Sequence, residues 1–276
     1  MQPSCAGASP RVLVTRPLAQ ANTWVKNLNE QGVDAVALPL IDIVPLPNEP
    51  HLTAAWAGLA EYKLVMFVSP NAAEHFFATA SRGVWPPHVL AASPGPGTSA
   101  SLRSFGVPTA CIIEPAFDAP QFDSEALWQQ LQPHDWRHAP VLVVAGEGGR
   151  DWLAQQFKQA GARVDHLLVY RRGPPQWTPH LVQLVGQALS SPGDHLWFFS
   201  SSEAVSQLLS RFPSPCWGQS RALATHPRIA QAAIDAGFSQ VITSRANFEA
   251  VLGCIQSLGI HGASSHLSIT PPTRSQ

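Results

Sequence analysis

Short apolar runs alternate with stretches of helical periodicity along most of the chain, and the clearest unit covers residues 139–173. An apolar, β-branched run over 141–145 is the pattern of a strand buried on both faces. A glycine-rich turn and a periodic segment follow, and Gly161 stops that predicted helix as a C′ glycine does. A second strand is predicted over 164–170, ending on Tyr170 between apolar residues and two arginines. The apolar residues at helical spacing are Trp152, Leu153, Phe157 and Ala160.

Two weak internal repeats extend this pattern over the chain. A Phe-x-Ser-x-x-Ala turn between strand and helix occurs at 67–72 and again at 199–204, about half the chain apart. Helices end on a glycine followed by a small or apolar residue at Gly32, Gly106, Gly161 and Gly237. Strands alternating with helices through short connections predict parallel α/β structure, so we expect two lobes built alike.

In open parallel sheets ligands bind beyond the carboxyl ends of the strands, and the predicted turns lie there. A turn that opens a helix presents free N–H groups suited to anions. Each feature also has a structural interpretation: Ser69 and Ser201 as plain helix caps, 146–150 as a tight turn, and Arg228 as a solvated residue. The candidate binding residues are Arg16, Ser69, Pro70, Gly97, Thr98, Ser99, Gly148, Gly149, Arg150, Ser200, Ser201, Ser202, Pro227 and Arg228. Ser124 is a further predicted helix cap.

Composition narrows the class of protein. The chain has 276 residues, 45% hydrophobic and 13% charged, with a net charge of −1, which is typical of a globular enzyme. With this charge balance the chain has no overall excess of positive charge that would favour binding to nucleic acid or to a membrane surface. The start has no signal-peptide pattern, so we expect a cytoplasmic protein. Four cysteines without Cys-x-x-Cys are expected to be reduced, and eleven histidines without ligand spacing predict no metal site.

Several motifs, in this order and spacing, resemble the uroporphyrinogen-III synthase family over about 11–258. They are Val-Leu-Val-Thr-Arg-Pro at 12–17, Leu-Pro-Leu-Ile at 38–41, the two Phe-x-Ser turns, 95–99, Gly149-Arg150, Val169-Tyr170, and the closing strand, turn and helix with Pro227 and Gly237. The resemblance implies α/β architecture with two flavodoxin-like parallel-sheet lobes joined by a two-stranded antiparallel connector. The expected domains are 1–38 with 173–260 as a discontinuous lobe, 46–166 as an inserted lobe, 39–45 and 167–172 as connectors, and 261–276 as a disordered tail.

The resemblance also implies an activity: cyclisation of hydroxymethylbilane, a linear tetrapyrrole, to uroporphyrinogen III with loss of water and inversion of ring D. The family uses no metal or cofactor. We expect a monomer that meets the preceding pathway enzyme only transiently. The sequence departs from the family at Val68, where a threonine is usual, and at Ile229, where a threonine often counted as functional would stand.

The implied chemistry begins with departure of the substrate's hydroxyl as water, which a general acid can assist. Tyr170 is the candidate, since a tyrosine with an ordinary pKa near ~10 is protonated at neutral pH. Its structural alternative is a half-buried aromatic at a strand end. Arg16, Arg150 and Arg228 are the candidate side-chain partners for substrate carboxylates.

Two other functions stay open at this level. A non-enzymatic, two-lobed sensor of a small anion would use the same turns. A nucleotide-dependent enzyme would place phosphate at 146–149, but that turn lacks the Gly-Lys-Ser/Thr of a P-loop. Val169 and Tyr170 also stand where such an enzyme has an acidic residue at the end of the next strand.

Overall fold

The computed structural model describes residues 9–47, 49–78, 83–213 and 217–262, and strands and helices alternate through them. The strands are β1 (Arg11–Val14), β2 (Ala35–Ala37), β3 (Asp42–Pro45), β4 (Leu64–Phe67), β5 (Leu90–Ala92), β6 (Ile112–Ile113), β7 (Pro140–Gly146), β8 (Arg163–Gly173), β9 (His195–Phe199), β10 (Arg221–Ala224) and β11 (Gln240–Thr243). The helices are α1 (Leu18–Glu30), α2 (Glu49–Ala57), α3 (Pro70–Phe77), α4 (Pro96–Ser104), α5 (Ser124–Leu131), α6 (Trp152–Gln159), α7 (Pro179–Ser190), α8 (Ser202–Arg211), α9 (Pro227–Asp235) and α10 (Phe248–Gly262).

The described residues form two compact units. Lobe 1 takes those within Met1–Leu40, Gln176–Ser244 and Phe248–Gln276, and lobe 2 takes Ile41–Pro175 with Arg245–Asn247. The exact residues at which the sequence analysis places the domain boundaries stay predictions. No helix in the described part of the chain is long and apolar enough to cross a membrane.

Lobe 1 is a parallel sheet of five strands in the order β11-β10-β9-β1-β2. Numbered along the chain within this lobe, that is the flavodoxin-like order 2-1-3-4-5. Its topological switch point lies between β1 and β9, where Val14 pairs with Phe198. The prediction of a parallel flavodoxin-like sheet is confirmed for this lobe.

Lobe 2 has the strand order β3-β8-β7-β4-β5-β6. Without β3, the order β8-β7-β4-β5-β6 is again 2-1-3-4-5, but the chain enters it at the third position, so lobe 2 is circularly permuted relative to lobe 1. The switch point lies between β7 and β4, whose strands pair in parallel. By this correspondence β7 matches β1, and β4 matches β9.

The predicted antiparallel connector is present as β3 and β8, which pair with Asp42 opposite Gly173 and Pro45 opposite Tyr170. It extends the lobe 2 sheet by one strand. The second strand was expected to end at Tyr170, and this is wrong, because β8 continues to Gly173. The pairing with β3 satisfies the backbone groups of 171–173 and so carries the strand past the tyrosine.

Both faces of the lobe 2 sheet are buried, as the apolar run in β7 predicts. Alternate residues of that strand enter two clusters: Leu142 and Val144 pack with α2, α3 and α4, whereas Val141 and Val143 pack with α5 and α6. In lobe 1, Leu196 and Phe198 of β9 pack against apolar residues of α1 and α10. Burial on both faces makes each sheet a rigid base for the turns at its carboxyl edge.

Two local predictions meet different outcomes. Gly161 has φ +88° directly after the last residues of α6, which confirms its role as a C′ glycine. The cap of α5 is Asp123 and not Ser124, because the Asp123 carboxylate accepts the N–H of Ala126. Both residue types favour caps, so composition could not separate them.

Some predictions fall partly outside the described residues. Of the expected tail 261–276, the first two residues end α10, and 263–276 lie outside the described residues. The described residues also exclude Cys5, Cys216 and residues 1–8, where the sequence shows no signal-peptide pattern. Cys111 and Cys254, which the structure describes, are free thiols.

Candidate functional site

Tyr170 and Ser69 form a hydroxyl pair at the switch point of lobe 2. Tyr170 is 1% exposed, and its hydroxyl lies 3.0 Å from Ser69 Oγ. Ser69 is the N-cap of α3, where its Oγ also accepts the N–H of Ala72 at 3.2 Å. The prediction that Ser69 caps a helix is therefore confirmed. Half burial of Tyr170 was expected under its structural alternative and is wrong, because the ring belongs to the lobe 2 core. A structural role for the ring stays a prediction beside the catalytic one.

The Tyr170 ring lies against the backbone of Gly146. A bulge between Ala145 and Gly146 sets Gly146 opposite Tyr170 in the β7–β8 pairing. A Cβ placed on Gly146 would lie 2.4 Å from Cζ and 2.5 Å from Cε2 of the tyrosine. The Tyr170 carbonyl also accepts the N–H of Glu147 at 2.9 Å. Gly146 is thus required by the ring that covers it, and it holds the phenol end of that ring.

His75 of α3 covers the Tyr170 ring from another side, with ring centroids 5.9 Å apart and planes inclined by 30°. Burial lowers the pKa of His75, so its imidazole is neutral at neutral pH. Burial likewise raises the pKa of Glu74, the preceding residue. A neutral imidazole therefore covers the Tyr170 ring.

The turn after β5 lies beside the turn after β4, since a Cβ on Gly97 would lie 3.6 Å from Pro70 Cγ. Gly97 is exposed, whereas Thr98 and Ser99 are 3% and 0% exposed. The N–H groups of Thr98 and Ser99 both donate to Gly95 O, and Ser99 Oγ donates to Ser93 Oγ. These two predicted binding residues therefore shape the turn, and Gly97 is the accessible member of the three.

The turn after β7 is exposed from Glu147 to Arg150, and Gly148 has φ +72°, a conformation that favours glycine. The guanidinium of Arg150 donates to Glu125 at 2.7 Å, with both side chains about half exposed. Glu147 and Asp151 add negative charge around Gly149. This turn has its own counter-ions and is less suited to an anion than its glycines suggest.

Arg16 follows β1 at the switch point of lobe 1, the position that matches the β7 turn of lobe 2. Its guanidinium lies 4.7 Å from the ring centre of Trp24 and 5.6 Å from that of Phe198. Its Nε is buried without a hydrogen-bond partner, and its strongest polar contact is a 3.4 Å bond to Gln20. Among the described residues no carboxylate pairs with it.

Burial lowers the pKa of Arg16 to about 10, so the side chain stays charged at neutral pH. A partly buried cation without a counter-ion is costly, and an incoming anion would relieve that cost. Arg16 is therefore the strongest side-chain candidate for an anion in the described residues.

The remaining candidates of lobe 1 lie at the same carboxyl edge. Ser201 caps α8 by accepting the N–H of Glu203 at 3.2 Å, and Ser200 and Ser202 flank it, partly exposed. Pro227 opens α9, and Arg228 is exposed at its second position, with no ion pair in the described residues. Ile229 is 8% exposed, so the residue that replaces the family threonine packs into the fold.

Sequence reasoning missed three residues of this arrangement. Gly146 was assigned to the turn and not to the tyrosine ring. His75 carried no signal, because its contact with Tyr170 joins a helix and a distant strand. Trp24 was not singled out as a site residue, because only the fold places its ring under the guanidinium of Arg16.

A pocket in lobe 1 lies elsewhere. It has a volume of about 790 Å³ and is lined by Arg11, Asp34, His195 and residues of α7, at the amino ends of β1 and β9. Two of its charged groups pair with each other, since Arg11 Nε lies 2.9 Å from Asp34. No group of three or more His, Cys, Asp and Glu residues suited to a metal occurs in the described residues. The candidate site lies at the opposite, carboxyl edge, where Arg16 Nε is buried without a hydrogen-bond partner.

The fold and these two edges define an α/β protein with two flavodoxin-like lobes, each presenting polar turns at its switch point. The family model described as uroporphyrinogen-III synthase HemD matches residues 22–253. The chain belongs to this family.

Curated relatives agree with that assignment. A porphyrin biosynthesis protein HemD from Ruminiclostridium josui is 34% identical over 67 residues, covering 24% of this chain and 13% of the relative. The uroporphyrinogen-III synthase of Chlorobaculum parvum is 28% identical over 181 residues, covering 59% of this chain and 64% of the relative. That of Salmonella typhimurium is 28% identical over 163 residues, covering 58% and 64%. The match spans less than two thirds of each of these relatives.

Solved structures show the same fold. A crystal structure of a mutant uroporphyrinogen III synthase from Thermus thermophilus matches with a TM-score of 0.54 and 16% identity, covering 90% of this chain and 98% of that one. The uroporphyrinogen-III synthetase of Helicobacter pylori matches with a TM-score of 0.56 and 13% identity, covering 90% and 99%. These likenesses concern the architecture.

Proposed function

We propose that this chain cyclises hydroxymethylbilane to uroporphyrinogen III, with loss of water and inversion of ring D. The family assignment supports the reaction class. The observation that carries the proposal is the Tyr170–Ser69 hydroxyl pair at the carboxyl edge of lobe 2, at 3.0 Å. The reaction needs a proton for its leaving hydroxyl, and a phenol beside a second hydroxyl can supply one.

The substrate is a polycarboxylate, so binding requires donors distributed over an extended surface. Arg16 offers a charge that no described carboxylate pairs with, and Arg228 is exposed at the start of α9. Backbone N–H groups at the starts of α3, α4 and α8 add the dipolar donors that helix termini provide. At the start of α9 the N–H groups of Arg228 and Ile229 bond to His226. Gly97 and Ser202 lie in the first turns of α4 and α8, Ser200 comes just before α8, and Gly148 and Gly149 lie in the turn before α6. Pro227 shapes the start of α9 without an N–H of its own, and Arg150 contributes only when it leaves Glu125.

Protonation of the leaving hydroxyl releases water and leaves an azafulvene cation. Ring D attacks that cation through its substituted carbon, giving a spiro intermediate that fragments and closes again with ring D inverted. Because the linear substrate can also close without inversion, much of the enzyme's task is to hold a conformation in which the spiro route is shorter. Donors spaced along both carboxyl edges fit that task.

A coupled assay tests the proposed function. Hydroxymethylbilane is generated in situ, this chain is added, and the oxidised porphyrin isomers are separated. We expect the type III isomer to dominate. Formation of the type I isomer alone, at every concentration of the chain, would contradict the proposal.

Four further properties stay predictions from the sequence: a cytoplasmic location, a monomeric state, a reaction without metal or cofactor, and a transient contact with the preceding pathway enzyme. Sedimentation of the purified chain tests the second. Assays after exhaustive chelation test the third.

A further inference from the structure

The two hydroxyls of the lobe 2 pair differ in access. Tyr170 is 1% exposed, enclosed by Gly146, His75 and the lobe core. Ser69 is partly exposed at the first turn of α3, where a ligand at the sheet edge can reach it. A proton that starts on the phenol therefore meets Ser69 Oγ before it meets any group outside the lobe.

We infer that Ser69 is the catalytic residue that protonates the leaving hydroxyl, and that Tyr170 acts through it as the proton reservoir. This inference rests on the proposed function. It assigns to Ser69 a chemical role beyond its role as the cap of α3. The 3.2 Å bond from Ala72 N–H to Ser69 Oγ holds the oxygen in place and leaves the hydroxyl hydrogen free to point outward.

The step balances in protons and electrons. The Ser69 O–H proton passes to the substrate hydroxyl, whose carbon–oxygen bond breaks with its electron pair on oxygen, releasing water. The Tyr170 proton passes to Ser69 Oγ, which leaves a phenolate near the azafulvene cation. When the macrocycle closes, the ring carbon that loses a proton returns it through Ser69 to Tyr170. No oxidant, reductant or other reactant is required.

Lobe 1 provides the internal comparison for this role. Ser201 is the corresponding cap after β9, and its Oγ accepts the N–H of Glu203. The chain has only two tyrosines, Tyr62 and Tyr170, and both belong to lobe 2. Ser201 therefore has a cap's geometry without a phenol behind it. The tyrosine, and not the cap, distinguishes the two Phe-x-Ser turns.

The kinetic test compares Ser69→Ala, Ser69→Thr, Tyr170→Phe and the double variant Ser69→Ala with Tyr170→Phe in the coupled assay. We expect Ser69→Ala and Tyr170→Phe each to lower kcat by about 100-fold or more with little change in KM, since general acids contribute on that scale. The double variant should be no slower than the single ones, because both changes cut the same relay. Ser69→Thr should recover most of the rate.

Loss of the cap is controlled separately. Ser69→Gly removes the hydroxyl at a cost of only a few tenths of a kcal/mol, so it should lose activity while remaining folded. Thr178→Ala removes the cap of α7, where Thr178 Oγ1 accepts the N–H of Leu181 at 3.3 Å. Thr178→Ala should lose a helix cap similar to the one that Ser69→Ala loses. It should keep the wild-type kcat, since Thr178 has no part in the site.

A spectroscopic measurement does not depend on activity. Labelling tyrosine with ¹³C at Cζ gives two signals, and Tyr62→Phe assigns them. We expect Ser69→Ala to move the Tyr170 signal, Ser69→Thr to restore it, and Ser201→Ala to leave it in place. An unmoved signal in Ser69→Ala would overturn the pairing on which the relay depends.

The outcomes separate the two proposals. A wild-type chain that yields only the type I isomer overturns the proposed function and the relay with it. Normal formation of type III together with near wild-type kcat in both Ser69→Ala and Ser69→Gly overturns the relay alone. A severe loss in Tyr170→Phe beside a mild loss in Ser69→Gly would show that the phenol reaches the substrate directly, which also overturns it.

Discussion

The two lobes share one strand order and differ in what each places at its switch point. In lobe 2, between β7 and β4, the side chain of Tyr170 lies on Gly146 and pairs with Ser69. In lobe 1, between β1 and β9, Arg16 lies on Trp24 and Phe198, and no carboxylate of the described residues pairs with it. One edge thus offers an uncharged pair of hydroxyls, and the other offers a cation.

This difference separates two tasks that a polycarboxylate substrate imposes. In the proposed reaction, Arg16 of lobe 1 binds a substrate carboxylate, and the hydroxyls of lobe 2 transfer a proton without being held by a salt bridge. The matching turns support the contrast, since Arg150 occupies in lobe 2 the turn that Arg16 occupies in lobe 1. Arg150 is neutralised by Glu125 at 2.7 Å.

Among the substitutions that test this difference between the lobes, Gly146→Ala is expected to have the largest effect. The new Cβ would lie 2.4 Å from Tyr170 Cζ, so the ring or the strand must move. Overpacking of this kind costs about 1–3 kcal/mol, and displacement of a catalytic group by about 1 Å lowers rates on the order of 100-fold. Denaturant unfolding and kcat in the coupled assay measure both effects.

Gly173→Ala is the matched control for that substitution, because it lies in β8 and its Cβ would meet nothing within 4 Å. We expect a change in unfolding free energy within about 0.5 kcal/mol, as for other surface substitutions, and an unaltered kcat. Wild-type stability and turnover in Gly146→Ala would contradict the assignment of Gly146 as the support of the phenol.

Arg16→Met is expected to act in opposite directions on binding and on stability. Losing a charge-assisted contact worth about 1.5–3 kcal/mol should raise KM by roughly 10–100-fold. Because burial lowers the pKa of Arg16 to about 10, the folded chain binds that proton more weakly than the unfolded chain, which disfavours folding at every pH below about 10. Methionine keeps the packing on Trp24, so we expect the free energy of unfolding to rise by about 1 kcal/mol.

Arg11→Met serves as its control on the same strand. Arg11 lies at the opposite edge, in an exposed ion pair with Asp34. Its replacement should leave KM unchanged and lower stability by at most about 1 kcal/mol. If Arg16→Met leaves KM at the wild-type value, the lobe 1 edge does not hold a substrate carboxylate through this side chain.

The smallest effect is expected from Arg150→Met. An ion pair exposed on both sides contributes about 0–1 kcal/mol, so stability should change little. Because Glu125 already satisfies the guanidinium, KM should rise far less than in Arg16→Met. Glu125→Gln tests the same ion pair from the other side. Because it frees Arg150, it should lower KM. A rise in KM for Arg150→Met as large as that for Arg16→Met would remove the proposed difference between the lobes.

Much of the fold could be predicted from local pattern. The apolar runs gave strands buried on both faces, and Gly161 was assigned correctly as a helix end because its role depends on neighbours in sequence. The cap of α5 was misplaced by one residue, since Asp123 and Ser124 have similar propensities. The end of β8 was also missed, because its last residues are strand only through pairing with the distant β3.

The candidate site was less accessible to such arguments. Ser69 and Tyr170 were both singled out, but they are 101 positions apart and their bond follows from the strand order β8-β7-β4. Thr98 and Ser99 look like binding residues in a small-residue turn, yet their hydrogen bonds serve the turn itself. Whether a polar side chain faces outward depends on packing that residue type alone does not specify.

The sequence by itself determined the alternation of strands and helices, the repeated Phe-x-Ser turns and the family to which the chain belongs, because these depend on periodicity and short-range order. Only the tertiary structure decided that Gly146 supports the Tyr170 ring and that Ser69 Oγ lies within hydrogen-bond distance of the phenol. It also decided that, among the described residues, Arg150 has a counter-ion and Arg16 has none. Contacts between distant segments set the exposure and pairing of a polar group, and exposure and pairing decide what chemistry that group can perform.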